Sequence, residues 1–288
     1  MSNIQSQISN IQSQLEAAYP KDEALALAWW LAEELSGLSR SQLLCGCKDT
    51  TFLANTQVFV DRLLHFEPIQ YIFGHTIWNG LDLKVTPATL IPRPETAELV
   101  ERITNYQLPI TNARVLDIGT GSGCIAIALK KAHPEWQVTG IDISPEAIEV
   151  AKENAKRNNV EVDFQVADIF NLQSPISNLQ YDIVVSNPPY IRECEKKDMN
   201  PNVLNYEPST ALFVPDSDPL RFYRRIADLF ANHQSPITNN QSPLSLFFEI
   251  NEHFSDEIED LLQSLGYQNI RIHRDMYGKP RIAEGQLA

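Results

Sequence analysis

The chain has 288 residues, 43% apolar and 21% charged, an ordinary globular composition long enough for about two domains with unstapled cores. Its 37 acidic side chains against 23 basic ones give a formal net charge of −14, which argues against a broad phosphate-gripping surface, because that needs clustered Lys and Arg. The four cysteines lack zinc-ribbon spacing, no apolar run approaches a bilayer span, and Met1 opens no basic-then-apolar leader, so a metal site and a membrane are both disfavoured and the cytoplasm is expected.

Residues 1–13 are polar and repeat the phrase SNIQSQ; they are expected to form a frayed lead-in. From Ala17 to Glu67 the pattern is helical. Ala24, Leu27, Leu31 and Leu35 recur at three- and four-residue spacing, and Val58–Leu64 behaves alike. This predicts a small helical domain over residues 1–67, with Trp29 and Trp30 serving its core. Residues 68–88 are expected to be a linking hairpin. Tyr71–Phe73 and Ile77-Trp78 favour strand, Asn79-Gly80 is a hairpin-turn dipeptide, and Leu81–Val85 alternates. Glu95–Tyr106 then reads as helix.

Beyond Arg114 short apolar runs alternate with helical stretches. The predicted strands are 114–118, 137–141, 162–166, 182–186, 244–250 and 270–273; the predicted helices include 124–131, 145–158 and 219–231. Phrases rich in Ser, Asn, Gln and Pro at 109–112, 173–178 and 234–240 read as loop insertions. The alternation implies an α/β fold with a mostly parallel sheet. Its chemistry belongs in the loops after the strands' carboxyl ends.

The first such loop is Gly119-Thr120-Gly121-Ser122-Gly123, which leaves one strand and opens a helix. Its glycines permit a sharp turn and close approach to a ligand, and the helix start offers free N–H donors. Asp142 ends the second strand, where its carboxylate can accept from a ribose diol. Asp168 follows the third, placed to accept from an adenine amine. The loop lacks the full dinucleotide spacing, and Asp117 just before it would repel a pyrophosphate while suiting a cationic ligand. That combination favours S-adenosylmethionine over a dinucleotide.

The fourth strand runs into Asn187-Pro188-Pro189-Tyr190. Two prolines fix φ and remove two backbone donors, leaving the Pro188 carbonyl and the Asn187 side-chain oxygen as acceptors, with Tyr190 as an aromatic face. Such a turn suits a planar NH₂: both hydrogens are held and the nitrogen is aimed at a methyl group.

With these residues in view, the chain resembles the release factor glutamine methyltransferase family. The likeness runs from Ala17 to Gly285 and includes Pro68–Gly74, Leu90–Thr96, Tyr206–Pro208, Ala211-Leu212, and Gly278 with Arg281. It implies a seven-stranded, Rossmann-like methyltransferase domain over 89–288 behind a helical domain and a hairpin linker. It further implies that Gly119 to Gly123 contact S-adenosylmethionine, that Asp142 holds the ribose, that Asp168 and Ile169 flank the adenine, and that Asn187 to Tyr190 bind the glutamine of a release factor's Gly-Gly-Gln loop. Arg93 and Glu95 would line the mouth, or Arg93 would be an ion-pair partner. Asn251 stands where the family often has Gly. A monomer acting on a protein, without direct nucleic-acid binding, is expected. Two alternatives stay open: methylation of adenine N6 or guanine N2 in nucleic acid, which presents the same planar NH₂, and a non-catalytic nucleotide-binding module.

Overall fold

In the computed structural model, the described residues are 3–46, 51–53, 55–106, 111–171, 181–232 and 243–287. The expected insertions at 173–178 and 234–240, the first half of 109–112, and Cys47 lie outside them. The chain divides into two compact units, Met1–Gly74 with Asn200–Tyr206, and His75–Met199 with Glu207–Ala288.

The smaller unit is helical: α1 (Asn3–Leu15), α2 (Lys21–Ser36), α3 (Arg40–Gly46), α4 (Gln57–Leu64) and α5 (Ile69–Phe73). α1 overturns the expected frayed lead-in. The repeated phrase has a seven-residue period, which is two helical turns. Ile4, Ile8, Ile11 and Leu15 therefore fall on one stripe, and all four are buried; Ser, Asn and Gln cover the rest. α2 buries Ala24, Ala28, Trp29, Leu31 and Ala32 and ends at Gly37, whose φ of +68° closes it. Trp29 is core, as expected, with the Arg40 guanidinium 4.6 Å from its ring.

α5 corrects the hairpin reading of 69–73. Strand propensity loses there because the Pro68 carbonyl accepts from the Tyr71 and Ile72 N–H groups, Ile69 and Tyr71 are buried by the helical turn, and Gly74 ends it at φ +75°. The hairpin is only β1 (His75–Trp78) and β2 (Leu81–Lys84), turning at Asn79 and Gly80 with φ of +47° and +72°.

The larger unit holds β3 (Arg114–Ile118), β4 (Gln137–Asp142), β5 (Asp163–Val166), β6 (Ile183–Ser186), β7 (Ile191–Arg192), β8 (Phe213–Val214), β9 (Leu244–Glu249), β10 (Gln268–Arg274) and β11 (Pro280–Leu287). Its helices are α6 (Pro94–Thr104), α7 (Cys124–Ala132), α8 (Pro145–Arg157), α10 (Arg221–Asn232) and α11 (Ser255–Ser264); α9 (Pro201–Tyr206) groups with the helical unit. The seven-stranded sheet runs β10-β11-β9-β6-β3-β4-β5. β5, β4, β3, β6 and β9 are parallel, and β11 alone in this sheet runs against them, antiparallel to both β9 and β10. Successive residues of β3 serve opposite faces: Val115 packs with Leu99, Ile127 and Phe247, and Leu116 with Val184, Tyr223 and Phe248. Gly140 in β4 has no room for a side chain. A Cβ there would lie 2.6 Å from the Phe164 ring and 2.9 Å from Thr120 Oγ1.

A buried amide helps join the hairpin to the site. Asn154 of α8 accepts from the Lys84 N–H at 2.6 Å and donates to the Lys84 and Ser122 carbonyls at 2.9 Å each.

Candidate active site

The loops after β3, β4, β5 and β6 border a cavity of about 520 Å³, a volume typical of small-molecule sites. On one side lies the glycine loop. Gly119, Gly121 and Gly123 have φ of +72°, +54° and +81°, a region that side-chain-bearing residues rarely enter. The Gly119 and Thr120 N–H groups both donate to the Ile141 carbonyl, at 2.8 and 2.9 Å, so β4 holds the turn. Gly123 also leaves room for its neighbours, since a Cβ would sit 3.0 Å from Phe164 and 3.1 Å from Ala151 and Ile127.

Asp142 binds that wall together. Its Oδ2 accepts from the Gly121 N–H and its Oδ1 from the Ser144 N–H, both at 2.9 Å. Ser144 then caps α8 by accepting from Ala147. Burial pushes the Asp142 carboxyl above its usual range, against these hydrogen bonds. Asp168, Ile169 and Phe170 line the far end. Asp168 accepts from the Phe170 N–H at 2.9 Å and from the Asn171 side chain at 2.6 Å. Ile169 is buried, whereas Phe170 presents an exposed ring edge-on to Phe222 under the Arg221 guanidinium. Ile169 and Phe170 thus both reach the cavity.

Asp117 sits behind this wall rather than in it. It is fully buried, with Oδ2 accepting from the Thr120 hydroxyl at 2.6 Å and Oδ1 lacking a partner. Burial pushes its carboxyl up to about 7. The residues facing the cavity fit S-adenosylmethionine. A carboxylate able to accept from a diol, Asp142, stands beside turned backbone, and an apolar slot with an aromatic ring is part of the same lining.

The opposite wall is Ser186 to Pro189. The Ser186 hydroxyl donates to the Ile118 carbonyl at 2.7 Å and ties the end of β6 to that of β3. Asn187 donates through Nδ2 to Thr96 Oγ1 at 3.3 Å, and Thr96 donates to Glu249 at 2.6 Å. Oδ1 of Asn187 is therefore the end left to a ligand. Tyr190 has a different placement from the one expected. It is absent from the cavity lining, and its hydroxyl donates to Glu249 at 3.2 Å. Its buried hydroxyl is pushed far above the usual phenol range, by burial first and by Glu249 second. Arg93 lines the cavity and also pairs with the buried Glu207 at 2.6 Å, so both readings of it hold; Glu95 is not in the lining. Glu207 also accepts from the Ile91 N–H at 3.1 Å and so stiffens the 91–93 segment.

Thr96, Glu207 and Glu249 were not singled out by sequence. The usable signal was at Glu249, a carboxylate ending the apolar run Leu244–Phe248 where parallel strands deliver functional groups.

Residues 111–267 match the family described as a methyltransferase domain, and residues 8–74 match the PrmC N-terminal domain. The release factor glutamine methyltransferase of Bacteroides thetaiotaomicron is 42% identical over 94% of this chain and 96% of that protein. That of Flavobacterium psychrophilum is 44% identical over 81% of this chain and 80% of its own length. The chain belongs to the release factor glutamine methyltransferase family. The hMettl16 catalytic domain, solved in complex with a MAT2A 3'UTR hairpin, shares the fold with a TM-score of 0.54 at 19% identity, over 73% of this chain and 76% of that one. With family membership, the methyl donor is S-adenosylmethionine. No helix among the described residues is long and apolar enough to cross a membrane.

Proposed function

We propose that this protein methylates the side-chain N5 of the glutamine in the Gly-Gly-Gln motif of peptide chain release factors. One observation carries the reading at the level of the site. The Asn187 carboxamide, fixed by Thr96, borders the same cavity as the glycine loop and Asp142.

S-adenosylmethionine, when bound, supplies an electrophilic methyl group on a sulfonium. The chain's residues do the rest. Asn187 Oδ1 and the Pro188 carbonyl accept the two N–H bonds of the substrate amide and aim its nitrogen. An amide nitrogen is a poor nucleophile because its lone pair is delocalised into the carbonyl. Two held N–H bonds favour the pyramidal nitrogen that attack requires, and the acceptors' pull grows as the nitrogen gains positive charge. The methylated nitrogen is strongly acidic and sheds its proton without a dedicated base. Pro188 and Pro189 keep the acceptors in place, because a turn with fixed φ loses little freedom on binding.

Gly119 to Gly123, Asp142, Asp168 and Ile169 are assigned to the cofactor, and Asn187 to Tyr190 to the glutamine. Tyr190 acts from behind the wall, through Glu249. Residues 1–67 are assigned to recognition of the release factor, 68–88 to a linker and 89–288 to methyl transfer. The protein works as a cytoplasmic monomer and does not grip nucleic acid; its acidic balance supports this. Mass spectrometry of a release factor before and after incubation with the protein and S-adenosylmethionine should show one added methyl on the Gly-Gly-Gln glutamine. Label entering only RNA or DNA would end the reading.

A further inference from the structure

At the end of β9 stands a carboxylate that the methyl-transfer scheme invokes only as the partner of Tyr190. Glu249 is only 2% exposed, and its two oxygens take hold of the substrate loop at both ends. Oε2 accepts from the Thr96 hydroxyl at 2.6 Å, and Thr96 Oγ1 accepts from Asn187 Nδ2 at 3.3 Å. Oε1 accepts from the Tyr190 hydroxyl at 3.2 Å. The two prolines lie between the anchored residues. Behind them, Asn251 donates to the Tyr190 carbonyl at 3.2 Å, and the Tyr223 hydroxyl donates to the Glu249 carbonyl at 3.1 Å.

The direction of this chain of bonds follows from its donors. A hydroxyl has one proton, and an ionised carboxylate only accepts. Thr96 gives its proton to Glu249 and has only lone pairs left for Asn187. A carboxamide facing lone pairs must present its NH₂. Turned over, Asn187 would set oxygen against oxygen at Thr96 and offer a donor to a substrate that is itself a donor. Burial, with the Glu95 charge adding to it, raises the Glu249 carboxyl, while the Thr96 hydroxyl, Arg281 and Tyr190 oppose that rise. Arg281 is held in turn by the buried Asp275 at 3.1 Å.

We propose that Glu249, acting through Thr96, is a positioning residue that sets the polarity of the Asn187 carboxamide, so that its oxygen and not its nitrogen meets the substrate's NH₂. The proposal rests on the reading of Asn187 as an acceptor for the glutamine amide. It names a second tier of the site, 91 and 153 residues apart along the chain at its two steps.

The test compares Thr96→Val, Thr96→Ser, Glu249→Gln and the double variant Thr96→Val/Glu249→Gln in the full chain. Turnover on a release factor is measured at saturating cofactor, with calorimetric S-adenosylmethionine affinity and melting temperature for each. Valine keeps the shape of threonine without the hydroxyl and should lower kcat about 10- to 100-fold, the scale of a misaimed reacting group, while cofactor affinity stays near that of the parent. Serine restores the hydroxyl and should restore kcat to within about threefold of the parent. Glu249→Gln weakens a charge-assisted bond and should lower kcat several-fold, but add less than about twofold on top of Thr96→Val, because groups acting in series are not additive. Parent-like kcat in Thr96→Val would overturn the proposal. So would a serine variant as impaired as valine while melting like the parent, or fully additive losses. A parent protein that leaves release factors unmethylated refutes the functional reading instead, whatever the variants do.

Discussion

The two walls of the cavity are built by different means. The glycine wall is made of backbone: three left-handed glycines, N–H groups held by the Ile141 carbonyl, and one carboxylate, Asp142, accepting from the turn. The asparagine wall is made of side chains that reach across the sheet, from Thr96 at the start of α6 to Glu249 at the end of β9. The first wall is local and tolerates loss of side chains better than loss of glycines. The second has its stiffness at a distance, and a single missing hydroxyl can leave its shape intact while changing which atom faces the ligand.

The largest effect should come from the asparagine wall. Asn187→Ala removes an acceptor used most strongly as charge develops. Methyl transfer should fall by about 10²- to 10³-fold, as when one preorganised polar group is lost, while calorimetric cofactor affinity stays within a few-fold of the parent. Comparable losses in both would dissolve the distinction between the walls.

The next effect sits behind the glycine wall and concerns pH. Burial raises Asp117 from an ordinary 3.8 to about 7, so the folded state binds its proton more tightly than the unfolded state. The contribution is full below about pH 4 and fades as pH climbs through about 7, a change of a few kcal/mol at about 1.4 kcal/mol per unit. Cofactor-free protein should therefore melt lower at pH 8 than at pH 5. Asp117→Asn should flatten that slope in thermal scans without abolishing it, because burial also raises Asp142 and Glu249. An identical slope in the variant would mean that Asp117 is not the proton's holder.

Asp142→Ala should weaken cofactor binding about 10- to 100-fold, the loss of hydrogen bonds to a charged group. The turnover of cofactor-saturated enzyme should change less than in Asn187→Ala. An unchanged dissociation constant would remove Asp142 from the ribose. The smallest effect belongs to Tyr190→Phe. It deletes only the 3.2 Å bond to Glu249, so a stability loss of about 1 kcal/mol and a few-fold drop in kcat are expected. A drop as deep as that of Asn187→Ala would return Tyr190 to direct contact with the substrate.

The same contrast explains what the sequence could tell. All six predicted strands were located within two residues at each end, and Gly119–Gly123 and Asp142 were readable because strand, turn and helix cap follow one another along the chain. The Asn187 turn was readable for the same reason. Its supports were not, since Thr96 and Glu249 meet only after β9 has been laid beside β6. Tyr190 looked like an aromatic face for a substrate because nothing local shows that Glu249 draws its hydroxyl backward. α1 was missed although its signal was present: the polar letters of the repeat hid an isoleucine stripe that matters only once a partner surface exists. Residues 69–73 misled through composition, with strand-loving side chains placed directly after the proline that starts a helical turn. The neighbouring β10 is exposed or half-exposed along its length, whereas β11 is largely buried on both faces. Alternation is correspondingly weak there, and β11 was reached only through its resemblance to relatives.

Gly140 extends the site's reach into a place that looks purely architectural. It lies mid-strand, is not part of the active-site lining and needs no unusual backbone. Yet the methyl group of an alanine would press on the Thr120 hydroxyl and the Phe164 ring at once. Thr120 is the partner of Asp117, and Phe164 backs Gly123. In a saturation-mutagenesis map, this position should therefore cluster with the cavity-lining residues, although it is not one of them.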